Sequence, residues 1–316
     1  MKKRKLYCPR LHGKGVVKGN VAVGALGAGL ILSFLLAGLP ALAALELGSA
    51  ANFAVFQMGF PAEAGGAGGS FQSSDVRING DVGFRGSTQN NSNTRVTGRV
   101  FGPGPTAPGW TISGGYFPTP DSDLQAIAQQ ARDFSAAAID LGGTISAPTL
   151  GTVTGGTYTF TAANLALSGT YILNVGTINV NNSPWTLDGS MLPAGSRVIV
   201  NVTGSYTQNA NGGNIFAGPN LSSSQILMNY VGTGGARIQG GADLYGTFLG
   251  PNSTLTMNHQ QTFVDGSVIV QSVSFASNPS VNGVSFIPEP STYIAGALLL
   301  LPLGASARRI LRKRKK

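Results

Sequence analysis

Apolar residues along this chain fall in short runs, each closed within a few positions by glycine, asparagine or serine. Phe53-Ala54-Val55-Phe56 opens the series and Arg95-Val96-Thr97-Gly98-Arg99-Val100 continues it. Beyond residue 143 the pattern is unbroken. Thr157-Tyr158-Thr159-Phe160, Tyr171-Ile172-Leu173, Thr177-Ile178-Asn179-Val180, Val198-Ile199-Val200-Asn201-Val202 and Ser272-Val273-Ser274-Phe275 are short runs rich in β-branched and aromatic residues, the mark of strands. Asn79-Gly80, between Ile78 and Val82, is a turn dipeptide. The glycine-rich stretch 59–69 cannot be a strand interior, and the Pro/Gly-rich stretch 102–120 reads as an irregular loop. One helix is expected: Leu124, Ile127, Ala128, Ala131, Phe134, Ala138 and Leu141 recur at helical spacing. Ser122 and Gln125 offer a capping box before it, and Gly142-Gly143 a stop after it. Its stripe of mostly small side chains suits packing along a sheet. Strands of three to six residues at spacings of about 8 to 20 fit a solenoid, a sandwich or a barrel, and no constant repeat decides among them.

The two ends follow another pattern. Seven basic residues among the first twenty precede an uncharged apolar run, 21–39, and then Pro40-Ala41-Leu42-Ala43. A basic head, an apolar run and a small-x-small stop are the parts of a secretory signal. Cleavage between Ala43 and Ala44, with Ala41 and Ala43 as the small residues read by signal peptidase, leaves 44–287 as the exported domain; an uncleaved signal anchor is the alternative. At the far end, residues 293–307 are uncharged and mostly apolar, followed by Arg308, Arg309, Arg312, Lys313, Arg314, Lys315 and Lys316. Fifteen helical residues rise about 22 Å, short of a hydrocarbon core of about 30 Å, so a C-terminal transmembrane helix must draw in 287–292. The terminal cations are expected to stay in the cytoplasm.

Before this tail stands Pro288-Glu289-Pro290. The motif, the apolar helix and the basic end together resemble the PEP-CTERM sorting signals of Gram-negative bacteria, over 288–316. The resemblance implies recognition by an exosortase-type membrane peptidase, transient residence in the inner membrane, and delivery to the cell surface or beyond. A plain tail anchor is the alternative.

Setting the ends aside changes the charge. The whole chain is +9, but 44–287 holds seven arginines, no lysine and eleven acidic residues, about −4. Nucleic-acid binding loses its basic face. The single cysteine, Cys8, lies in the signal head, so the exported domain has no disulfide and no thiolate metal site.

Leu47-Gly48-Ser49-Ala50-Ala51-Asn52-Phe53-Ala54-Val55, Ile78-Asn79-Gly80-Asp81-Val82-Gly83, and the stretch from Tyr245-Gly246-Thr247-Phe248-Leu249-Gly250 to Asp265-Gly266-Ser267-Val268-Ile269 resemble the ice-binding-like family, and the last stretch is equally similar to choice-of-anchor A domains. That resemblance implies a mainly β chain: a right-handed β-solenoid with one long flanking α-helix, besides the N-terminal signal helix and the C-terminal transmembrane helix.

Catalytic constellations are sparse. His259 is the one histidine outside the signal head, so neither a three-histidine zinc site nor a supported triad is available. Asp121, Asp123, Asp188, Asp243 and Asp265 are the carboxylates a glycosidase would need, yet helix starts and Asp-Gly turns account for most of them. Calcium at Asp75, Asp81 or the 121/123 pair matches no loop spacing. No cofactor and no metal is expected. Thr157, Thr159, Thr161, Thr254 and Thr256 are candidates for an ice- or ligand-facing surface, since alternate strand residues share a face. The leading expectation is a non-catalytic surface or matrix protein, structural or adhesive, with exopolysaccharide as partner. The alternative is an ice-binding protein using a threonine-rich solenoid face, and a secreted hydrolase is the third reading.

Overall fold

The computed structural model describes residues 47–286, less 62–67, 90–91, 105–108, 145, 162–168 and 210–211. The signal segment, Pro288-Glu289-Pro290 and the basic end all lie outside the described residues.

The chain is mainly β, wound into a solenoid-like stack, and every strand pairing among the described residues is parallel. Each full coil supplies segments to three sides. In one coil, Thr170–Asn181 runs along the first side and bends onto the second, and Trp185–Asp188 forms the third. The next coils contribute Arg197–Val202, Tyr206–Asn209 and Ile215–Ala217, then Ile226–Tyr230, Ala236–Ile238 and Asp243–Tyr245. Thr247–Met257 with Phe263–Asp265, and Val268–Phe275 with Ser280–Asn282, complete the C-terminal coils. Alternate residues of all three sides point inward to one core that includes Leu173, Ile178, Trp185, Val200, Tyr206, Phe248 and Val281.

The order along the stack is not the order along the chain. Strand Val55–Gln57 lies between Val268–Val270 and Val82–Phe84, so the first coil docks on the last. From there the chain winds outward through Arg77–Asn79, Thr94–Val96 and Val100–Gly102 to the edge strand Tyr116–Pro118. The helix Asp121–Thr144 then carries it back along the first side. Twenty-four residues span about 36 Å, enough to pass some seven strands spaced about 4.8 Å apart.

The helix buries Leu124, Ala128, Ala131, Phe134 and Ala138 against a row of outward aliphatics, Ile172, Ile199, Leu227, Leu249 and Ile269, continued by Phe56. Alanine at three of these positions lets the helix lie close. Polar contacts fix its height. Asn201 Nδ2 donates to Ala138 O (3.0 Å) and Asn174 Oδ1 (3.1 Å); Asn229 Nδ2 donates to Ser135 O (3.0 Å) and Asn201 Oδ1 (2.8 Å).

Two local expectations are corrected. The helix begins at Asp121, with the Asp123 N–H donating to Pro120 O at 3.1 Å, so Ser122 sits inside the first turn, not at the cap. The stretch 102–120 is more ordered than an irregular loop: Trp110–Ile112 and Tyr116–Pro118 both join the sheets. Among the described residues no helix is long and apolar enough to cross a membrane.

Candidate functional site

With the first side under the helix, two sheet faces are left for solvent. On the second side one in-register row runs Asn179, Thr207, Arg237, Thr256, Ser274, Gln72 and Gln89. A parallel row holds Thr254 beside Ser272, whose Oγ accepts from the Ser70 N–H at 3.4 Å. Thr152 and Thr177 pair at one end. These are short hydroxyl and amide side chains on a parallel lattice, with Arg237 the charge that interrupts them.

The third side differs. Thr157 pairs with Thr186, and the row continues through Phe216 and Tyr245 to Asp265, Asn282 and Asn79. Phe216 and Tyr245 approach to 5.3 Å between ring centroids, and Tyr245 and Phe263 to 6.4 Å. The adjoining row runs from Asp243 through Phe263 and Ser280 to Arg77, Arg95 and Thr111.

The threonines singled out from sequence are therefore divided. Thr254 and Thr256 lie on the second side, Thr157 and Thr159 on the third, and Thr161 follows the strand Gly156–Thr159 at the far end of the stack. Sequence reasoning passed over Thr207, Ser272 and Ser274 as their companions, and Phe216, Tyr245 and Phe263 altogether. Coil register brings these together across unequal stretches of chain, 18 residues for Thr254/Ser272 and Thr256/Ser274 and 28 for Asn179/Thr207.

The aspartates are held apart in separate structural roles. Asp121 is gripped by Arg85 and Asp81 by Arg99. Asp75 accepts from Ser74 Oγ (3.2 Å) and Asn93 Nδ2 (2.9 Å). Asp188 lies in its turn, where the Ser190 N–H, then the Ser190 side chain and Thr159, hold its carboxyl below the ordinary carboxylate range. Burial pushes the Asp243 carboxyl up, and Asp265 accepts from Asn282 Nδ2 at 2.7 Å. The Tyr245 hydroxyl is pushed up by burial and then by the charges of Asp243 and Asp265. Among the described residues, no three of His, Cys, Asp and Glu gather where a metal ion could be held. His259 Nδ1 accepts from the Gln261 N–H at 3.3 Å, which leaves Nε2 as the ring's donor.

The family described as "Putative Ice-binding-like adhesive domain" matches residues 44–282. Among solved structures the chain is similar to an ice-binding protein of the Antarctic ascomycete Antarctomyces psychrotrophicus, with TM-score 0.38 and 17% identity over 76% of this chain and 98% of that one. It is similar also to a glycosylated ice-binding protein of an Arctic yeast (TM-score 0.42, 17% identity, 79% and 97% of the two chains). A third is the ice-binding protein 1 domain of Shewanella frigidimarina (TM-score 0.41, 19% identity, 76% and 97%). No curated protein matches by sequence.

Proposed function

The chain belongs to the ice-binding-like adhesive domain family, and from that premise we propose that it is an exported, non-catalytic protein that binds ice through the second side of its solenoid. The observation that carries this reading is the in-register row of short hydroxyl and amide side chains on a sheet face that the helix leaves open. Strands about 4.8 Å apart, with like-facing residues about 6.7 Å apart along each strand, form a rectangular lattice. Hydroxyls fixed at such points hold water in place at little further entropic cost, because the backbone is already ordered. We take the winding as right-handed, the sense in which nearly all parallel crossovers run.

The test is ice growth in the presence of the full chain, compared with Thr256→Tyr. Thr256 is half-buried between Arg237 and Ser274 in the row, and a ring there lifts any flat contact away. Faceted crystals with the parent and unshaped ones with the variant are expected. Unshaped crystals with both sink the reading.

A second reading, adhesion to exopolysaccharide, is favoured by the third side, where Phe216, Tyr245 and Phe263 form an aromatic cluster across two adjoining rows that also hold Asp243 and Asp265. Ring faces stack on sugar rings and carboxylates accept from their hydroxyls. In both readings signal peptidase cuts beside Ala43, and Pro288-Glu289-Pro290 hands the tail 288–316 to an exosortase-type peptidase, with Arg308, Arg309, Arg312, Lys313 and Arg314 held inside the cytoplasm. The protein then passes through the inner membrane to the surface of a Gram-negative cell. Changing Pro288-Glu289-Pro290 to alanine and weighing the mature protein tests this; equal masses and equal locations overturn it.

A further inference from the structure

Most of the arginines in the described domain have partners. Arg85 grips Asp121, and Arg99 grips Asp81. Arg132 donates to Gly59 O at 2.7 Å, and Arg197 donates to Thr170 Oγ1 at 3.0 Å while lying over the Phe286 ring. Arg77 and Arg95 are different. They are exposed, they are register partners on neighbouring coils of the third side, and among the described residues neither has a carboxylate. Like charges directly opposed on adjacent strands destabilise a sheet.

Both arginines line a polar groove of about 660 Å³ between the third side and the turns that lead into it. Asn93, Asn258, His259 and Asn278 line the same groove. The acid that shares it, Asp75, is already engaged by Ser74 and Asn93. Two coils along the arginines' own row stands Phe263, with Tyr245 beside it.

We propose that this groove binds a carboxylated glycan, a chain bearing uronate residues. Guanidinium forks take carboxylates in bidentate fashion, and two of them one coil apart fit a polymer that carries its charges at intervals. Amide side chains around them donate to and accept from sugar hydroxyls, and Phe263 with Tyr245 offers faces to the rings further along the row. A denser polyanion such as nucleic acid is disfavoured, because Asp188, Asp243 and Asp265 stand on the same side. The inference rests on the adhesive reading and names the chemistry of its ligand.

The experiment is affinity electrophoresis of the full chain through gels containing polygalacturonate, neutral dextran or single-stranded DNA, with a parallel pull-down on the host's own extracellular polysaccharide. Polygalacturonate is expected to retard the chain, more at low salt than at high, while dextran leaves it unretarded. Arg77→Gln with Arg95→Gln should weaken that retardation at least tenfold without lowering Tm, since a like-charge pair is removed. Arg237→Gln, on the second side and outside this groove, should leave the retardation by polygalacturonate unchanged. No retardation by polygalacturonate, an undiminished effect in the double variant, or equal retardation by DNA overturns the proposal. If the host polysaccharide still captures both forms equally, adhesion stands and this site falls. If polygalacturonate binds through the arginines but the host polysaccharide does not, the site stands and the adhesive reading falls.

Discussion

The guanidinium of Arg85 takes both oxygens of Asp121, Nε to Oδ1 at 3.0 Å and Nη2 to Oδ2 at 2.9 Å. Arg85 lies in a turn of an N-terminal coil and Asp121 opens the helix, so this pair ties the start of the returning helix to the stack. Of the remaining Arg85 donors, Nη1 serves Met58 O and Phe60 O and Nη2 also reaches Gln125 Oε1 at 3.4 Å, and its side chain is 0% exposed against 35% for Asp121. The helix N-terminus favours the carboxylate further. Removing the partly exposed acid strands a buried cation. Asp121→Ala should therefore cost about 3 kcal/mol. Adding Arg85→Met to it should cost little more, because the two act as one unit. Urea unfolding of the three variants checks this; additive costs would show that the pair is not coupled.

Beneath the helix, Asn201 bridges Asn174, Asn229 and the Ala138 carbonyl. It is 1% exposed, so no water can replace a lost partner. Asn201→Ala should cost about 1–3 kcal/mol, lowering Tm by several degrees. Asn181→Ala, whose side chain is exposed and among the described residues bonds only Asn179, should be close to neutral.

The strands and the helix face were legible from alternation and from the 3.6-residue spacing of Leu124, Ala128, Ala131 and Ala138. The sides were not. Which threonines share a face depends on coil register, and coil length varies: Val55 pairs with Val82, Val82 with Val100, and Val100 with Tyr116. A signal was nevertheless present. An apolar residue, a variable one and glycine recur as Ile78-Asn79-Gly80, Val96-Thr97-Gly98, Ile112-Ser113-Gly114, Leu244-Tyr245-Gly246, Val264-Asp265-Gly266 and Val281-Asn282-Gly283. Each triplet leaves the third side, where successive backbones stack too closely for a side chain. Aligning the coils on these glycines places Tyr245 beside Asp265 and Asn282 beside Asn79, as observed.

Those corners predict an asymmetry among glycines. A Cβ on Gly266 would collide with the carbonyl of Gly246 in the coil below, and only backbone movement relieves that. Gly266→Ala should cost about 1–3 kcal/mol or more. Gly151 has open space around the same position and no positive φ, so Gly151→Ala should be neutral or stabilising by up to about 1 kcal/mol. Thermal unfolding of both proteins separates the cases, and equal losses would mean that the corner is not tightly stacked.

Two carboxylates on the third side should respond to pH with opposite sign. Asp188 is held below its ordinary value near 3.8 by hydrogen bonds from Ser190 and Thr159, so its contribution is present above that value and fades as the pH falls through the lower folded one. Asp243 is raised by burial, so its charged form is disfavoured in the fold, and stability is lost as the pH rises from about 3.8 through the raised value. At pH 7 Asp188→Asn should lower Tm and Asp243→Asn should raise it, and both differences should vanish in strong acid. At the alkaline end Tyr206, fully buried with its hydroxyl donating to Gln208 Oε1 at 2.7 Å, ionises well above 10 in the fold. The unfolded chain releases that proton near pH 10, so stability falls as the pH rises beyond it. Tyr206→Phe should flatten that alkaline limb, measured as the slope of unfolding free energy against pH. An unchanged slope would mean that Tyr206 opens to solvent before the domain unfolds.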